Sequence, residues 1–235
     1  MEQSALTAAL ADRASGLRTF LLADTNETRR PPRRHHPVSD ARLRGMPHDL
    51  PAPFAEPPTI APMAAASTGM PANAAGWCFE PKWDGVRAVA RVWDGGVTLT
   101  SRLGNDVTAG YPELAAIGSG LGDRAAVLDG EIIAFDDRGR PSFERLQSRM
   151  HVRAPSPALL ADVPVLYVIF DLLWLDGRLL TGDPFVERRR RLEALNPSGP
   201  SWQISKLLAE PPDDDTLAVC RQVGLEGYMG KMATS

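Results

Sequence analysis

The segment Glu80–Arg87 reads EPKWDGVR and decides how the rest of this chain is interpreted. Its lysine, Lys82, lies between a proline and a tryptophan, close to two carboxylates and to an arginine. A lysine acts as a nucleophile only when its amine is neutral, whereas a guanidinium stays charged and cannot take that role. Lys82 is therefore a candidate nucleophile, and the alternative is an ordinary lysine beside a surface turn at Asp84-Gly85.

Lysine is rare in this chain of 235 residues, which makes each lysine informative. Lys82, Lys206 and Lys231 are the only lysines among 26 basic residues, and 29 acidic residues bring the net charge to -3. This balance excludes a histone-like nucleic-acid binder, although a local basic groove remains possible. A hydrophobic content of 43% with 23% charged residues is typical of a globular protein with one or two domains.

The cysteine and hydropathy patterns predict a cytoplasmic protein. Cys78 and Cys220 lie far apart and form no CxxC motif, which favours free thiols in a reducing compartment. The sequence contains no run of 18 apolar residues, so no transmembrane helix is expected. The four histidines form no recognisable zinc-ligand pattern.

Proline divides the sequence into two parts. Residues 31–72 hold 10 of the 21 prolines, and the run 29–34 is rich in arginine. We therefore predict a flexible tail over residues 1–58, with a short amphipathic helix within 4–22, and a folded domain over 59–235. The arginines of the tail fit either a phosphate-contacting arm or a solvated linker.

The folded part alternates strand and turn patterns with interspersed helices. Turn signals at 95–96 and 176–177 predict hairpins and hence mainly antiparallel pairing in an α+β fold. The remaining expectations are strands at 79–93 (interrupted at 84–85), 126–135 and 165–174, and helices at 111–121, 142–150, 187–195 and 213–223. We expect Ser142 to cap the helix at 142–150, and the helix at 187–195 to have a very basic exposed face.

Three further sites contain residues that suit chemistry. Glu131 shares a strand face with apolar residues, so it either meets a binding partner there or points into water from an edge strand. Phe170 fits a stacking platform for a base, although a core phenylalanine is the more common explanation for such a residue taken alone. The segment 226–231 combines an acid with Lys231, and its alternative is a frayed tail.

Five short motifs occur in a particular order: KxDGxR at 82–87, SRxG at 101–104, DGE at 129–131, FD at 170–171 and EGxxxK at 226–231. Together they resemble the covalent nucleotidyltransferase superfamily, which includes ATP-dependent DNA ligases, RNA ligases and mRNA-capping enzymes. The wording around the motifs is most similar to bacterial ATP-dependent DNA ligases of the end-joining type. The resemblance covers about residues 50–235.

The resemblance implies a role for each matching residue. Lys82 would attack the α-phosphate of ATP and form a lysyl-AMP intermediate with release of pyrophosphate. The other implied roles are adenine-edge recognition by Glu80, organisation of the nucleotide by Asp84 and Arg87, phosphate contact by Arg102, ribose binding by Glu131, adenine stacking by Phe170, proximity to the phosphates for Lys231, and binding of Mg²⁺ or Mn²⁺ by Glu226.

The resemblance also implies a fold and a reaction. The fold would be an ATP-grasp-like nucleotidyltransferase domain with two packed, mostly antiparallel sheets, flanking helices and the ATP site between the sheets. The reaction would join nicked or broken double-stranded DNA in repair or recombination, carried out by a monomer without a membrane segment.

Family ligases continue beyond the EGxxxK motif with a further lysine motif and an OB-fold domain. The sequence stops at Ser235, so we expect a missing segment or a partner to supply these parts. Two alternatives stay open: a non-catalytic remnant that binds nucleotide or DNA ends, and an RNA ligase or capping-type enzyme.

Overall fold

A computed structural model describes residues 56–66 and 69–235 of the chain. The predicted tail over 1–58, with its helix at 4–22, lies almost entirely outside the described residues. The strands are β1 (Trp77–Lys82), β2 (Val86–Trp93), β3 (Gly96–Ser101), β4 (Ala126–Ala134), β5 (Val165–Leu175), β6 (Arg178–Leu179), β7 (Trp202–Ile204) and β8 (Gly227–Met232). The helices are α1 (Ile117–Gly120), α2 (Phe143–Gln147), α3 (Pro157–Asp162), α4 (Phe185–Leu195) and α5 (Asp214–Gln222), with 3-10 turns at Thr108–Gly110 and Pro112–Ala116.

The larger sheet has the strand order β3-β2-β4-β5-β6, and β7 adds to β5 as a parallel strand. All its other neighbours pair antiparallel. The predicted β2–β3 hairpin turns at Asp94 and Gly95, whose φ values are +52° and +70°. A two-residue hairpin turn of this kind needs positive φ at both positions, which glycine and aspartate tolerate.

The smaller sheet consists of β1 paired antiparallel with β8. The strand predicted over 79–93 is thus two strands that belong to different sheets and part at the Asp84-Gly85 turn. Both sheets are antiparallel apart from β7, which confirms the predicted α+β architecture.

The two faces of the larger sheet differ in what covers them. One face carries the main hydrophobic core, which includes Leu128, Tyr167 and Ile169. The other face carries two smaller apolar clusters, one around Ile133 beside helix α5 and one around Val127. The stretch of strand between these two clusters is polar, and it is there that the predicted site residues of this sheet lie.

Helix capping follows the sequence closely. The Ser142 hydroxyl accepts a hydrogen bond from the Arg145 amide at the start of α2. Asp213 caps α5 through a reciprocal capping box with Thr216. Such caps satisfy backbone amides that have no partner inside the helix.

Three details differ from expectation. The helix predicted over 111–121 is a 3-10 turn followed by the four-residue α1, because the glycines at 118 and 120 disfavour a longer helix. Helix α4 has no bare basic face, since its arginines 188–191 each lie within 4.0 Å of a carboxylate. Strand β4 lies between β2 and β5, which excludes the edge-strand alternative for Glu131.

In the described ranges, no helix is both long enough and apolar enough to cross a membrane.

Candidate active site

Pairing of β1 with β8 brings together two motifs that are 144 residues apart in the sequence. Lys82 lies opposite Gly227, and the Glu226 amide donates to the Lys82 carbonyl oxygen at 3.2 Å. The Lys82 ammonium forms an ion pair with the Glu226 carboxylate. The Lys82 and Glu226 side chains are 40% and 47% exposed, so the candidate nucleophile is open to a ligand. Segment 226–231 is consequently not a frayed tail, because all of it except Glu226 belongs to β8, which pairs with β1.

A second lysine–glutamate pair lies further along the same two strands. Lys231 Nζ is 2.6 Å from Glu80 Oε1, and the two side chains are only 19% and 4% exposed. Lys231 Nζ also donates to the Phe170 carbonyl oxygen at 3.2 Å. The other Glu80 oxygen, Oε2, is buried and has no hydrogen-bond partner among the described residues. This pair therefore links the small sheet to β5 in the large sheet.

The large sheet supplies an arginine and an aromatic ring to the same place. Arg87 donates two hydrogen bonds to the Asp129 carboxylate, at 2.8 and 2.7 Å. Its guanidinium carbon lies 4.8 Å from the centre of the Phe170 ring, and Lys231 Nζ lies 4.7 Å from that centre. Both distances are within the range of cation–π contact. Phe170 is half-buried, so it is not a simple core residue.

Glu131 lies opposite Arg87 in the β2–β4 ladder. Burial raises the pKa of Glu131 to about 8, and the charge of Arg87 opposes that rise. The carboxylates of Asp129, Asp84 and Glu226 raise it further. Glu131 is thus largely protonated at neutral pH and can both donate and accept a hydrogen bond.

Asp84 occupies the exposed turn between β1 and β2. Its pKa is raised, first by partial burial and then by the charge of Glu226, while Lys82 opposes the rise. Asp84 is therefore close enough to Lys82 and Glu226 to share their electrostatic environment. Negative charge accumulates around this turn, which favours the approach of a cation.

Two glycines of the motifs are required by close backbone approach. A Cβ atom on Gly85 would lie 2.2 Å from the Ile132 carbonyl oxygen, and one on Gly130 would lie 2.6 Å from the Tyr167 ring. Any side chain at either position would push β4 away from its neighbour. The glycines in KxDGxR and DGE thus hold the two motifs side by side.

Comparison with known proteins identifies the family. The family model for the ATP dependent DNA ligase domain matches residues 58–235. This chain belongs to the ATP-dependent DNA ligase family. It is 40% identical over 178 residues to the multifunctional non-homologous end joining DNA repair protein LigD of Mycobacterium tuberculosis, covering 75% of this chain and 22% of LigD. It is also 41% identical over 184 residues to DNA ligase C of the same organism, covering 74% of this chain and 50% of that ligase.

The solved structures agree with this assignment. The ligase domain of M. tuberculosis LigD matches with a TM-score of 0.56 and 40% identity, over 68% of this chain and 49% of that one. A mycobacterial DNA ligase D complexed with ATP and MES matches with the same values. The ligase domain described here therefore spans about a fifth of the LigD length and about half of the solved ligase chain.

Most of the predicted site residues of the ligase domain form one cluster. Lys82 and Glu226 pair at the open end, and Glu80 pairs with Lys231 at the buried end. The large sheet adds the remaining members, which are Arg87, Glu131 and Phe170, with Asp84 at the turn. Arg102 is separate: it lies on the exposed turn after β3 and makes no ion pair with the described residues.

Three residues around the cluster in the ligase domain were not predicted from the sequence. Asp129 holds Arg87, Asp171 follows Phe170, and Arg188 on α4 binds Asp171. Asp129 belongs to the DGE motif and Asp171 to the FD motif, so the motifs themselves could have indicated both residues. Arg188 gave no signal, because it is one of four consecutive arginines in a helix.

Glu226 and Asp84 are the residues of the site that could hold a metal ion. Among residues 56–66 and 69–235, no group of three or more histidine, cysteine or acidic side chains converges on one point. Glu226, the predicted metal ligand, is half-exposed next to Asp84, whose pKa it raises. This fits Mg²⁺, which proteins often bind through one or two carboxylates together with substrate phosphates.

Proposed function

We propose that this domain is the adenylation domain of an ATP-dependent DNA ligase and that Lys82 is its nucleophile. The observation that carries the proposal is the meeting of Lys82 and Glu226, from distant motifs, at the open end of a cluster that also contains Phe170. An accessible lysine in a cluster that also contains an aromatic ring suits attack on a nucleotide. Membership of the DNA ligase family supports the choice of reaction.

The nucleotide would be held by groups of different chemistry. Phe170 would stack on the adenine ring, an interaction that needs no proton transfer. Glu80 Oε2, buried and unpartnered among the described residues, is an acceptor suited to the exocyclic amine of adenine. Glu131, protonated near neutrality, would exchange hydrogen bonds with a ribose hydroxyl.

The chemical step needs an unprotonated Lys82 amine. That nitrogen would attack the α-phosphorus of ATP, so that a P–N bond forms while the P–O bond to pyrophosphate breaks. The Lys82 ammonium gives up one proton to solvent before the attack, and the nitrogen gives up a second proton to solvent as the P–N bond forms. Pyrophosphate carries away the leaving electron pair. Breaking the ion pair to Glu226 is the event that frees Lys82 for this attack.

Glu226, with Asp84 nearby, would hold Mg²⁺ or Mn²⁺. The metal supplies charge neutralisation for the phosphate oxygens. Occupation of Glu226 by a cation would also remove the partner that keeps Lys82 in its ion pair.

We further propose that the AMP group passes from Lys82 to the 5′-phosphate of nicked or broken double-stranded DNA, after which a 3′-hydroxyl displaces it. Arg102, exposed on its turn, would contact the DNA phosphate. DNA binding by this domain should be weak, because the chain has a net charge of -3. It should also fall with salt, because the contacts to DNA phosphates are electrostatic. An OB-fold from a further segment or a partner would strengthen DNA binding.

We also propose that residues 1–58 form a flexible tail and that residues 59–235 form the adenylation domain.

Incubation with α-labelled ATP and Mg²⁺, followed by a denaturing gel, tests the first step. We expect label on the wild-type chain and on the Lys206→Arg control, and no label on Lys82→Ala. Label that persists on Lys82→Ala would refute the assignment of the nucleophile. Absence of label from a folded wild-type chain would favour the non-catalytic alternative.

The nucleic acid and the nucleotide are tested separately. ATP should outcompete GTP for labelling, and transfer of AMP should occur on nicked DNA in preference to nicked RNA. Preference for GTP or for RNA would instead support the capping-type or RNA ligase alternative.

A further inference from the structure

A buried arginine–aspartate pair joins α4 to the strand that presents Phe170. Arg188 Nε donates to Asp171 Oδ1 at 2.9 Å, and Arg188 Nη2 donates to Asp171 Oδ2 at 3.0 Å. The two side chains are 10% and 11% exposed. This parallel, two-pronged geometry fixes the orientation of the carboxylate as well as its position.

Asp171 lies at an irregularity in β5. In the ladder with β4, Asp129 faces Asp171 while Gly130 faces Ile169, so Phe170 is an extra residue without a partner. Such a β-bulge re-aims the side chains next to it. Ile169 and Leu172 both belong to the main core. Phe170 and Asp171 are the two residues of β5 between them, and neither belongs to that core.

The Asp171 carboxylate closes this bulge. Its Oδ1 atom accepts a hydrogen bond from the Leu172 amide at 2.8 Å in addition to the bond from Arg188. The carboxylate is thus held by the strand on one side and by α4 on the other. Movement of Asp171 would change the backbone that carries the Phe170 ring.

The same guanidinium also reaches the end of the small sheet. Arg188 Nη1 donates to the backbone oxygens of Asp183 at 2.6 Å and Ser235 at 3.0 Å. Ser235 follows β8, whose Lys231 donates to the Phe170 carbonyl oxygen. Arg188 therefore connects β5 with β8, the two strands that meet at Phe170.

We propose that Arg188 is a positioning residue that holds the Phe170 ring in place for adenine by fixing Asp171 and the bulge. The proposal rests on the proposed function, since it assumes that a base stacks on Phe170. A buried ion pair by itself contributes little net stability, because desolvation offsets the attraction. Fixed geometry is therefore the better account of why charge is retained at this position.

The test measures the binding of ATP and of inorganic tripolyphosphate to the full chain by calorimetry. Tripolyphosphate has the phosphates of ATP without the base and the ribose, so the ratio of the two affinities reports the contacts to the nucleoside. The Phe170→Ala variant gives the share of that ratio that comes from stacking. Arg188→Lys keeps the charge but loses the two-pronged bond. We expect it to weaken ATP binding roughly tenfold and to leave tripolyphosphate binding unchanged.

Two further variants sharpen the result. Arg190→Met lies on the same helix and removes an exposed arginine that pairs with Glu187, so it should leave both affinities unchanged. Phe170→Ala should lose the same fraction of ATP affinity, and adding Arg188→Lys to it should cost nothing more, because both changes act through one ring.

The outcomes separate this proposal from the proposed function. If the wild type prefers ATP and Arg188→Lys keeps that preference, or weakens both ligands equally, the positioning role is overturned. If the wild type binds ATP no better than tripolyphosphate, the stacking role of Phe170 fails and takes this proposal with it. Arg188→Met removes both the charge and the hydrogen bonds to Asp171. If that variant fails to fold, the result for Arg188→Lys determines whether the positioning role stands.

Discussion

Two lysine–glutamate pairs lie on the same two strands and differ in almost every physical respect. Lys82 and Glu226 are roughly half-exposed, whereas Lys231 and Glu80 are mostly buried. The exposed pair involves one hydrogen bond from the lysine, while the buried lysine also binds the Phe170 carbonyl oxygen and lies 4.7 Å from the Phe170 and Phe185 ring centres.

The difference indicates a division of labour. An exposed ion pair exchanges readily with water and ligands, so its lysine can be released for chemistry. A buried pair with further contacts cannot be broken without leaving a charge stranded in a low dielectric. Residue type alone does not separate the two lysines, and their surroundings do.

The largest expected effect concerns reactivity. Lys82→Arg should reduce lysyl-AMP formation by at least ~1000-fold, because a guanidinium stays charged. Lys231→Arg keeps a cation beside Glu80 and should reduce the labelling rate far less, by about tenfold or under. Single-turnover labelling measures both, and equal losses in the two variants would remove the distinction between the pairs.

The second effect concerns stability, for which the buried pair should matter more than the exposed pair. Lys231→Met leaves buried Glu80 uncompensated and should lower the free energy of unfolding by about 3–5 kcal/mol. Lys82→Met removes an exposed partner and should cost under about 1 kcal/mol. Urea unfolding compares them, and a Lys82→Met variant as unstable as Lys231→Met would contradict the assignment.

A third effect concerns pH. Because the pKa of Glu131 is about 8 in the folded protein and near 4.5 in the unfolded chain, the folded state binds the extra proton between these values. Stability from this group is complete below about pH 4.5 and is lost as the pH rises through about 8.

Glu131→Gln, which stays neutral, should therefore lose less stability between pH 6 and pH 9 than the wild type, by on the order of 2 kcal/mol. Thermal melts across this range, without nucleotide, measure the difference. Parallel pH profiles for the two proteins would show that Glu131 is not the titrating group.

The smallest effect is the coupling within the exposed pair. A double-mutant cycle on Lys82 and Glu226 should give about 0.2–1 kcal/mol at low salt and almost nothing in 1 M NaCl. The corresponding cycle on Lys231 and Glu80 should change little with salt, because buried charges are screened weakly. A salt-resistant coupling in the exposed pair would mean that it is less accessible than its exposure indicates.

Local features of the fold were well predicted from the sequence. The β2–β3 hairpin, the Ser142 cap and the buried strand β5 all follow from residue types within a few positions. The helix predicted over 111–121 was wrong for a local reason too, because its glycines at 118 and 120 disfavour a long helix.

The pairing of distant segments was beyond sequence patterns. The segment 79–93 contains strands of two different sheets, and the turn at Asp84-Gly85 gives no sign of which partner each strand takes. Resemblance to a family indicated that Lys82 and Glu226 belong to one site. The resemblance implied that Glu80 reads the adenine edge and that Lys231 lies near the phosphates, and it did not indicate that these two side chains form an ion pair.

Residue types and their order along the chain were enough to identify the chemical groups of this protein: a lysine suited to attack, carboxylates and an aromatic ring. Its family followed from the order of those motifs. Tertiary structure alone decided which lysine is exposed, that burial raises the pKa of Glu131, and that Arg188 reaches Asp171 behind Phe170. The reason is physical: burial and charge pairing depend on which distant strands meet, and no local pattern records that.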